Sequence, residues 1–245
     1  MNRLNEHIAK DGFRLRGTAM SRIDGFSDVV FGFALTLLVV SLEAPKTFAE
    51  LHEMVGGFLP FAVSFLFLLL IWFGHFRFFR RFGLEDLTTI VLNSTLLFVV
   101  LFYVYPLKFL FNLMFGDLVH ESHVTHITDA QTRELMVLYG AGFAAIYLLL
   151  AALYWNAWRQ RRALELNALE QALTKGYLLD VAAEAGVGLM ACALALFLPP
   201  AKAGLSGFAY FLIAVTKTWS GMYMGRQGQL ARAHMEQERL RATAG

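Results

Sequence analysis

Residues 22–28 read RIDGFSD, and residues 29–40 continue as VVFGFALTLLVV. The second stretch contains one polar side chain, Thr36, whereas Arg22, Ser27 and Asp28 stand at its entrance. A run this apolar predicts a membrane-spanning helix, and ionisable groups at membrane depth are costly unless they pair with other groups. Arg22 and Asp28 are six residues apart, not the three or four of immediate neighbours on one helical face. The long arginine side chain can still reach Asp28, but we expect contacts with other helices instead.

The composition of the chain is that of an integral membrane protein. Of its 245 residues, 57% are hydrophobic and only 16% are charged, against roughly 25% charged in soluble domains. The net charge of +2 is too small to indicate a nucleic-acid partner. The single Cys192 cannot form an intrachain disulfide, and no cysteine cluster indicates a metal centre. The charged N-terminal region lacks the pattern of a cleavable signal peptide.

Six apolar stretches reach the length of about 20 residues that a membrane helix needs. They lie at about residues 25–43, 54–76, 87–115, 134–158, 177–199 and 204–224. We therefore predict an all-α integral membrane protein with six transmembrane helices in residues 1–224. Residues 225–245 are predicted to form a cytoplasmic C-terminal tail, and residues 159–175 a charged helical linker.

The basic residues are distributed unevenly between the connections. One side of the membrane receives Arg3, Lys10, Arg14, Arg16, Arg22, Arg77, Arg80, Arg81, Arg159, Arg161, Arg162, Lys175, Arg226, Arg232, Arg239 and Arg241. The other side receives Lys46, Arg133 and Lys202, with Lys108 near a helix end. The positive-inside rule predicts that both termini are cytoplasmic. We separately expect the protein to lie in the inner cell membrane. The stretch 22–28 would then lie at the cytoplasmic end of the first helix.

The first helix carries a stripe of residues at helical spacing, namely Phe33, Thr36, Leu37 and Val40. One interpretation is a pore-lining stripe whose apolar rings form a narrow constriction. The other is an ordinary buried or lipid-facing surface, because nearly every residue of this helix is apolar. The stretch occurs only once in the chain, so a symmetric pore would require several subunits.

Further polar residues are predicted at the same depth as the stretch 22–28. Trp72 and His75 lie at the cytoplasmic end of the second helix, and Asn93 lies about two turns into the third. With Arg22, Ser27 and Asp28 they can form one polar knot. One interpretation is interhelical hydrogen bonding that holds the helices together, and the other is a set of contacts that positions or gates the pore helix. The two interpretations are compatible.

Other ionisable residues have ordinary explanations. Glu184 is expected to face a partner such as Lys175 or Arg22, and Lys217 to snorkel or to form a structural pair. The external residues His120, His123 and His126 do not have the HExxH spacing of a metalloprotease, and we expect a solvated loop. A TVGYG filter, a P-loop and a nucleophile elbow are all missing from the sequence, so we expect neither an ordinary potassium pore loop nor an enzyme.

The pattern Arg-x-x-x-Phe-Ser-Asp at Arg22 to Asp28, followed by Thr36-Leu-Leu-Val39, resembles the endosomal and lysosomal transmembrane potassium channels. It is closest to their bacterial six-helix members. The pattern Trp72-x-x-His75-x-x-x-Phe79 and Asn93 are similar to that family too. The resemblance covers the first three helices, whereas the last three match in layout only.

The resemblance implies a homotetramer in which the first helix of each subunit lines a central pore. Carried over by position, Phe33, Leu37 and Val40 would form the apolar rings and Thr36 a polar layer. A bracing network of the pore helix would consist of Arg22, Phe26, Ser27, Asp28, Trp72, His75 and Asn93. The chain departs from the family at Phe33, where Ile or Leu is usual. This difference concerns the conductance expected of the channel and not its fold.

The function predicted from the sequence is a weakly potassium-selective cation leak channel without cofactors. K⁺ is the expected permeant ion, with other monovalent cations or protons as secondary ones. Two alternatives remain open: a secondary transporter coupled to protons through Asp28 and His75, and a non-conducting membrane scaffold. Saturable, pH-driven uptake would favour the transporter, and a monomer without flux would favour the scaffold.

Overall fold

The computed structural model describes residues 8–40, 45–48, 51–52, 55, 58–115 and 127–244, and these are almost entirely helical. The elements in chain order are α1 (Arg22–Val40), α2 (Phe58–Phe82), α3 (Leu87–Phe115), α4 (Asp129–Arg159), α5 (Ala168–Phe197), a 3-10 segment (Pro200–Phe211) and α6 (Leu212–Ala244).

Helices α1 to α5 are each long and apolar enough to cross a bilayer. They correspond to the first five predicted spans, and α3 has the predicted bounds. The second prediction, 54–76, ends too early because α2 continues to Phe82. Aromatic residues and arginines alternate in this last part of α2, so hydropathy falls before the helix ends.

The sixth predicted span, 204–224, does not correspond to one α-helix. Residues Pro200–Phe211 form the 3-10 segment, and the α-helix begins only at Leu212 and runs to Ala244. Pro200 starts the segment, and Gly204 and Gly207 lower its α-helical propensity. Among the described helices, α6 does not meet the length and composition criteria of a span.

The predicted helical linker 159–175 is also wrong. Helix α4 ends at Arg159 and α5 starts at Ala168, so the two form a hairpin with a short turn. Asn167 caps α5: its side chain accepts a hydrogen bond from the Glu170 backbone N at 2.9 Å, and the Glu170 carboxylate accepts one from the Asn167 backbone N at 3.0 Å. This reciprocal capping explains why α5 begins well before the predicted 177.

The aromatic core lies at the end of the bundle where α2 and α4 end and α1 and α3 begin. Phe78 contacts Phe82 and Tyr154 with ring centroids 5.1 and 5.2 Å apart. Phe13, from the segment before α1, is completely buried against Phe82. We call this end the arginine-rich end, because Arg14, Arg16, Arg80 and Arg81 meet there. The described residues before α1, 8–21, are therefore part of the fold.

Candidate pore helix and polar network

Helix α1 buries one face only. The residues of this face are Ser27, Phe31, Ala34 and Leu38. Their spacing of three and four residues places them in a single line, which packs against α2 and α3. The rest of α1 is wholly or partly exposed in the protomer. The helix is thus held from one side.

The predicted stripe lies on the opposite face. Phe33 is 60% exposed and Val40 is 76% exposed, while Thr36 is exposed and Leu37 is half-buried. The Thr36 hydroxyl donates to the Phe33 backbone O at 2.8 Å, so its donor is satisfied within the helix. The four residues are therefore brought together on a surface available to a neighbouring chain, to lipid or to water.

A buried hydrogen-bonded chain joins α1, α3 and α2. The Asn93 Nδ2 donates to the Ser27 Oγ at 2.9 Å, and the Ser27 Oγ donates to the Ile23 backbone O at 2.7 Å. The Asn93 Oδ1 lies 2.7 Å from the His75 Nε2. With Asn93 in this orientation, His75 carries a proton on Nε2 and donates it. All three side chains are buried, so these hydrogen bonds connect the three helices out of contact with water.

A second contact holds the same end of α1. The Trp72 Nε1 donates to the Asp28 Oδ1 at 2.8 Å, and the Trp72 ring stacks on Phe76. Of the residues predicted for the bracing network, Asn93 therefore contacts Ser27 and His75, and Trp72 contacts Asp28. Their bracing role stays a prediction. A small cavity of about 190 Å³ borders this region and is lined in part by Asp24, Asp28 and His75.

Arg22 and Phe26 do not belong to this network in the protomer. Arg22 is exposed and makes no side-chain hydrogen bond or ion pair among the described residues. Phe26 is 59% exposed. It lies two turns before Phe33, so helical geometry places it on the exposed stripe rather than on the bracing face.

A second polar cluster, in which the half-exposed Lys217 meets two buried carboxylates, joins α5 to α6. The Lys217 Nζ lies 2.8 Å from the Asp180 Oδ2 and 2.5 Å from the Glu184 Oε1, and the Ser220 Oγ donates to the Asp180 Oδ1 at 2.6 Å. The predicted partners of Glu184, Lys175 and Arg22, were therefore wrong. In the sequence, the spacing of Asp180 and Glu184 indicates that the two carboxylates share one helix face. It does not show which helix packs against that face.

The described part of the chain contains no group of three or more His, Cys, Asp or Glu side chains that could hold a metal ion. The predicted histidines His120, His123 and His126 lie outside the described residues. Cys192 is free, and its Sγ lies 3.4 Å from the Val137 backbone O.

Comparison with known proteins gives consistent matches. A family model described as "Endosomal/lysosomal potassium channel TMEM175" matches residues 22–103. A protein named "Potassium channel" from Marivirga tractuosa is 38% identical over 214 residues, covering 82% of this chain and 85% of the relative. A potassium channel from Chamaesiphon minutus is 30% identical over 169 residues, covering 64% of this chain and 76% of the relative.

Two solved structures are similar as well. A crystal structure of a variant of the potassium channel MtTMEM175, bound to a nanobody–MBP fusion, has a TM-score of 0.79 at 34% identity. It covers 89% of this chain and 99% of the other. The crystal structure of a lysosomal potassium-selective channel TMEM175 homolog from Chamaesiphon minutus has a TM-score of 0.55 at 26% identity, covering 81% and 96%.

The fold and the site define a multi-pass α-helical membrane protein whose first helix has one braced face and one exposed apolar face. The matches then identify the group to which it is related. The chain belongs to the TMEM175 potassium channel family. The family predicted from the sequence is confirmed, and the matching family model begins at Arg22.

Proposed function

We propose that this chain forms a homotetrameric, weakly potassium-selective cation channel of the inner cell membrane, with α1 lining a central pore. The observation that carries the proposal is the division of α1 into two faces. One face is anchored through Ser27 and Asp28, and the other exposes Phe33, Thr36 and Val40. A membrane helix with one anchored and one exposed face can turn the exposed face toward the symmetry axis of an oligomer. The rest of the protomer then holds the helix by its anchored face.

The relatives support potassium as the permeant ion. The curated relatives are named potassium channels, and one similar structure is described as potassium-selective. In our mechanism a cation crosses a short constriction at Phe33, Leu37 and Val40 while partly dehydrated, and Thr36 supplies a polar layer. Asp28 adds negative charge near the mouth, although one of its oxygens accepts from Trp72. No cofactor takes part in these steps.

The topology belongs to the proposal. Both termini are cytoplasmic, and residues 1–224 form the channel domain with residues 225–245 as a tail. The sixth crossing is made by the 3-10 segment together with the first part of α6. A 3-10 helix rises about 2.0 Å per residue, so this segment covers more membrane thickness than an α-helix of the same length.

The proposal is tested by K⁺ flux into proteoliposomes containing the wild type or Phe33→Ala. Removing the ring widens the constriction, and we expect flux to rise about tenfold, the effect of lowering a barrier by about 1.4 kcal/mol. The preference for K⁺ over Na⁺ should fall at the same time. Phe98→Ala is the matched control, because Phe98 is 70% exposed but lies on α3.

Flux equal to that of protein-free liposomes, in the wild type and in Phe33→Ala alike, would contradict the channel proposal. Saturable uptake that depends on a pH gradient would instead indicate a proton-coupled transporter. Equal flux through Phe33→Ala and Phe98→Ala would show that Phe33 is not part of the constriction.

A further inference from the structure

The chain before α1 crosses the arginine-rich end of the bundle as a compact strap, defined here as residues 8–17. The Ala9 backbone N donates to the Phe13 backbone O at 2.8 Å, and Ile8 and Arg14 form an isolated antiparallel bridge. Gly12 closes the turn with φ of 90°, a conformation that favours glycine. The strap therefore has its own local structure.

An aromatic residue anchors the strap in the core. Phe13 is completely buried, and its ring meets that of Phe82 edge to face at 5.5 Å. The Arg81 guanidinium lies 4.7 Å from the centre of the Phe13 ring and forms an ion pair with Asp11. Burial of this ring removes it from water, which stabilises the position of the strap on the core.

A buried carboxylate anchors the strap to the start of α5. The Glu170 Oε1 accepts from the Arg14 Nε at 2.9 Å and from the Arg14 backbone N at 3.0 Å. The Glu170 Oε2 accepts from the Arg14 Nη2 and the Arg16 Nη2, both at 2.9 Å. The Glu170 side chain is fully buried, so its charge depends on these two guanidinium groups.

The end of the strap lies directly on α2. The Gly17 backbone N donates to the Arg80 backbone O at 3.2 Å, and the Arg80 Nη1 donates to the Gly17 backbone O at 3.1 Å. A Cβ on Gly17 would lie 2.3 Å from the Phe79 backbone O, which is too close for any side chain. Glycine is therefore needed here for the backbones to meet.

Only residues 18–21 separate the strap from α1. A chain extends by at most about 3.6 Å per residue, so the position of Gly17 limits where Arg22 can lie. Helix α1 has one buried face, and it can tilt or rotate more readily than a helix packed on all sides. The strap thus restrains the start of α1. It does so at a point earlier in the chain than the contacts made by Ser27 and Asp28.

We propose that the strap is a positioning element of the pore helix, through which Arg14, Arg16, Gly17 and Glu170 set the open probability of the channel without lining its pore. This inference rests on the proposed channel function. Loosening the strap releases the starting end of α1 and shifts the balance between conducting and closed arrangements. The residues act through α1, so none of them contacts the permeant ion.

The test is single-channel recording in planar bilayers of the wild type and Glu170→Gln. We expect open probability to change about tenfold, as expected when a charge-assisted hydrogen bond that favours one state is lost. The conductance of an open channel should stay unchanged, because the pore lining is intact. Glu85→Gln is the control: Glu85 is an exposed carboxylate at the same end of the bundle, beyond the strap contacts.

Gly17→Ala provides a second variant that keeps every charge of the strap. Its methyl group displaces the strap from α2, so it should change open probability in the same direction as Glu170→Gln. A merely structural strap would lower the amount of folded protein while each folded channel kept its wild-type open probability. That result, in both variants, would overturn the proposal.

Hydrogen–deuterium exchange gives a readout that does not require conduction. In both variants we expect the backbone amides of residues 22–30 to exchange faster, while those of residues 87–107 in α3 exchange as in the wild type. Faster exchange confined to the strap would overturn the proposal. If the wild type does not conduct at all, the proposed function fails, and the exchange of residues 22–30 still decides whether the strap positions α1.

Discussion

At the scale of single residues, Ser27, Asn93 and His75 carry the contact between the first three helices. Each side chain is buried, and each donates or accepts within the chain of hydrogen bonds that links α1 to α3 and α2. Interhelical hydrogen bonds in membrane proteins contribute about 0.6–2 kcal/mol each. Asn93 contacts both neighbours, so of these three residues we expect its removal to have the largest effect on stability.

Asn93→Ala should lower the free energy of unfolding by about 1–3 kcal/mol, since it leaves the His75 Nε2 and the Ser27 Oγ with fewer partners. Thermal unfolding of purified protein in detergent measures the change. Thr95→Ala is the control, because Thr95 is exposed on the same helix and its hydroxyl donates only to the Val91 backbone O. Equal unfolding temperatures for the two variants would contradict a bracing role for Asn93.

At the scale of elements, α4 and α5 pack with their backbones in contact. A Cβ on Gly188 would lie 2.9 Å from the Ala144 backbone N and 3.0 Å from the Gly140 backbone O. By contrast, a Cβ on Gly186, on the same helix, would meet nothing within 4 Å. Small residues that allow such close approach are typical of helix pairs in membranes.

Gly188→Ala and Gly186→Ala should therefore have opposite effects. The first forces the two helices apart and should destabilise the protein by about 1–3 kcal/mol. The second should stabilise it by about 0.5–1 kcal/mol, because alanine has the higher helix propensity. Parallel thermal unfolding of both variants gives the comparison, and a stabilising Gly188→Ala would show that α4 and α5 are not in contact at this point.

The start of α3 is joined to the end of α4 through Asp86. The Thr89 hydroxyl donates to the Asp86 Oδ1 at 2.6 Å, and the Gln160 Nε2 donates to it at 3.1 Å. Partial burial alone would raise the pKa of Asp86, but the hydrogen bonds from Thr89, Gln160 and Asn156 outweigh it and hold the pKa below the ordinary 3.8. The carboxylate form is thus favoured in the folded state.

The sign of the pH dependence follows from that lowered pKa. The contribution of Asp86 to stability is fully present above its unfolded pKa of 3.8 and is lost as the pH falls through the lower folded value. Asp86→Asn should lower stability near neutral pH and flatten the loss of stability below about pH 4. Thermal unfolding across this range, with Glu85→Gln as control, measures both effects. Superimposable acid profiles for Asp86→Asn and the wild type would contradict the assignment.

At the scale of the whole molecule, the exposed stripe of α1 is what a second copy of the chain would cover. Phe26, Val29, Phe33 and Val40 are all exposed large hydrophobic residues on this helix. In a single chain these side chains would face lipid, whereas around a four-fold axis they would face one another. The proposed pore therefore exists only in the assembly.

Native mass spectrometry of the detergent-solubilised protein should give a species of four times the 27.5 kDa chain mass. The expectation follows because a pore on a symmetry axis needs several copies of α1. Phe98→Ala should give the same fourfold species, since Phe98 lies on α3 and not on the exposed stripe of α1. A protein that is monomeric at all concentrations would contradict the central pore.

The sequence by itself determined the class of protein, the first five spans and the family. These conclusions depend only on the local sequence. Bilayer thickness sets the length that an apolar run needs to span the membrane, and the pattern at residues 22–28 is recognised from its own residues. The sequence also predicted a common depth for Ser27, Asp28, Trp72, His75 and Asn93. In the structure Asn93 contacts Ser27 and His75, and Trp72 contacts Asp28, while their bracing role stays a prediction. Depth along the membrane limits which residues can meet, because side chains on different helices come into contact only when they lie at a similar depth.

Only the tertiary structure decided which faces meet. Glu184 pairs with Lys217, Phe26 lies on the exposed stripe, and Phe13 is buried in the core. The physical reason is that these facts depend on the rotation of each helix about its axis. In a membrane helix that is apolar on every side, hydrophobic periodicity carries almost no information about that rotation. The strap was missed for a related reason: its arginines resemble ordinary topology determinants until Glu170 is seen between them.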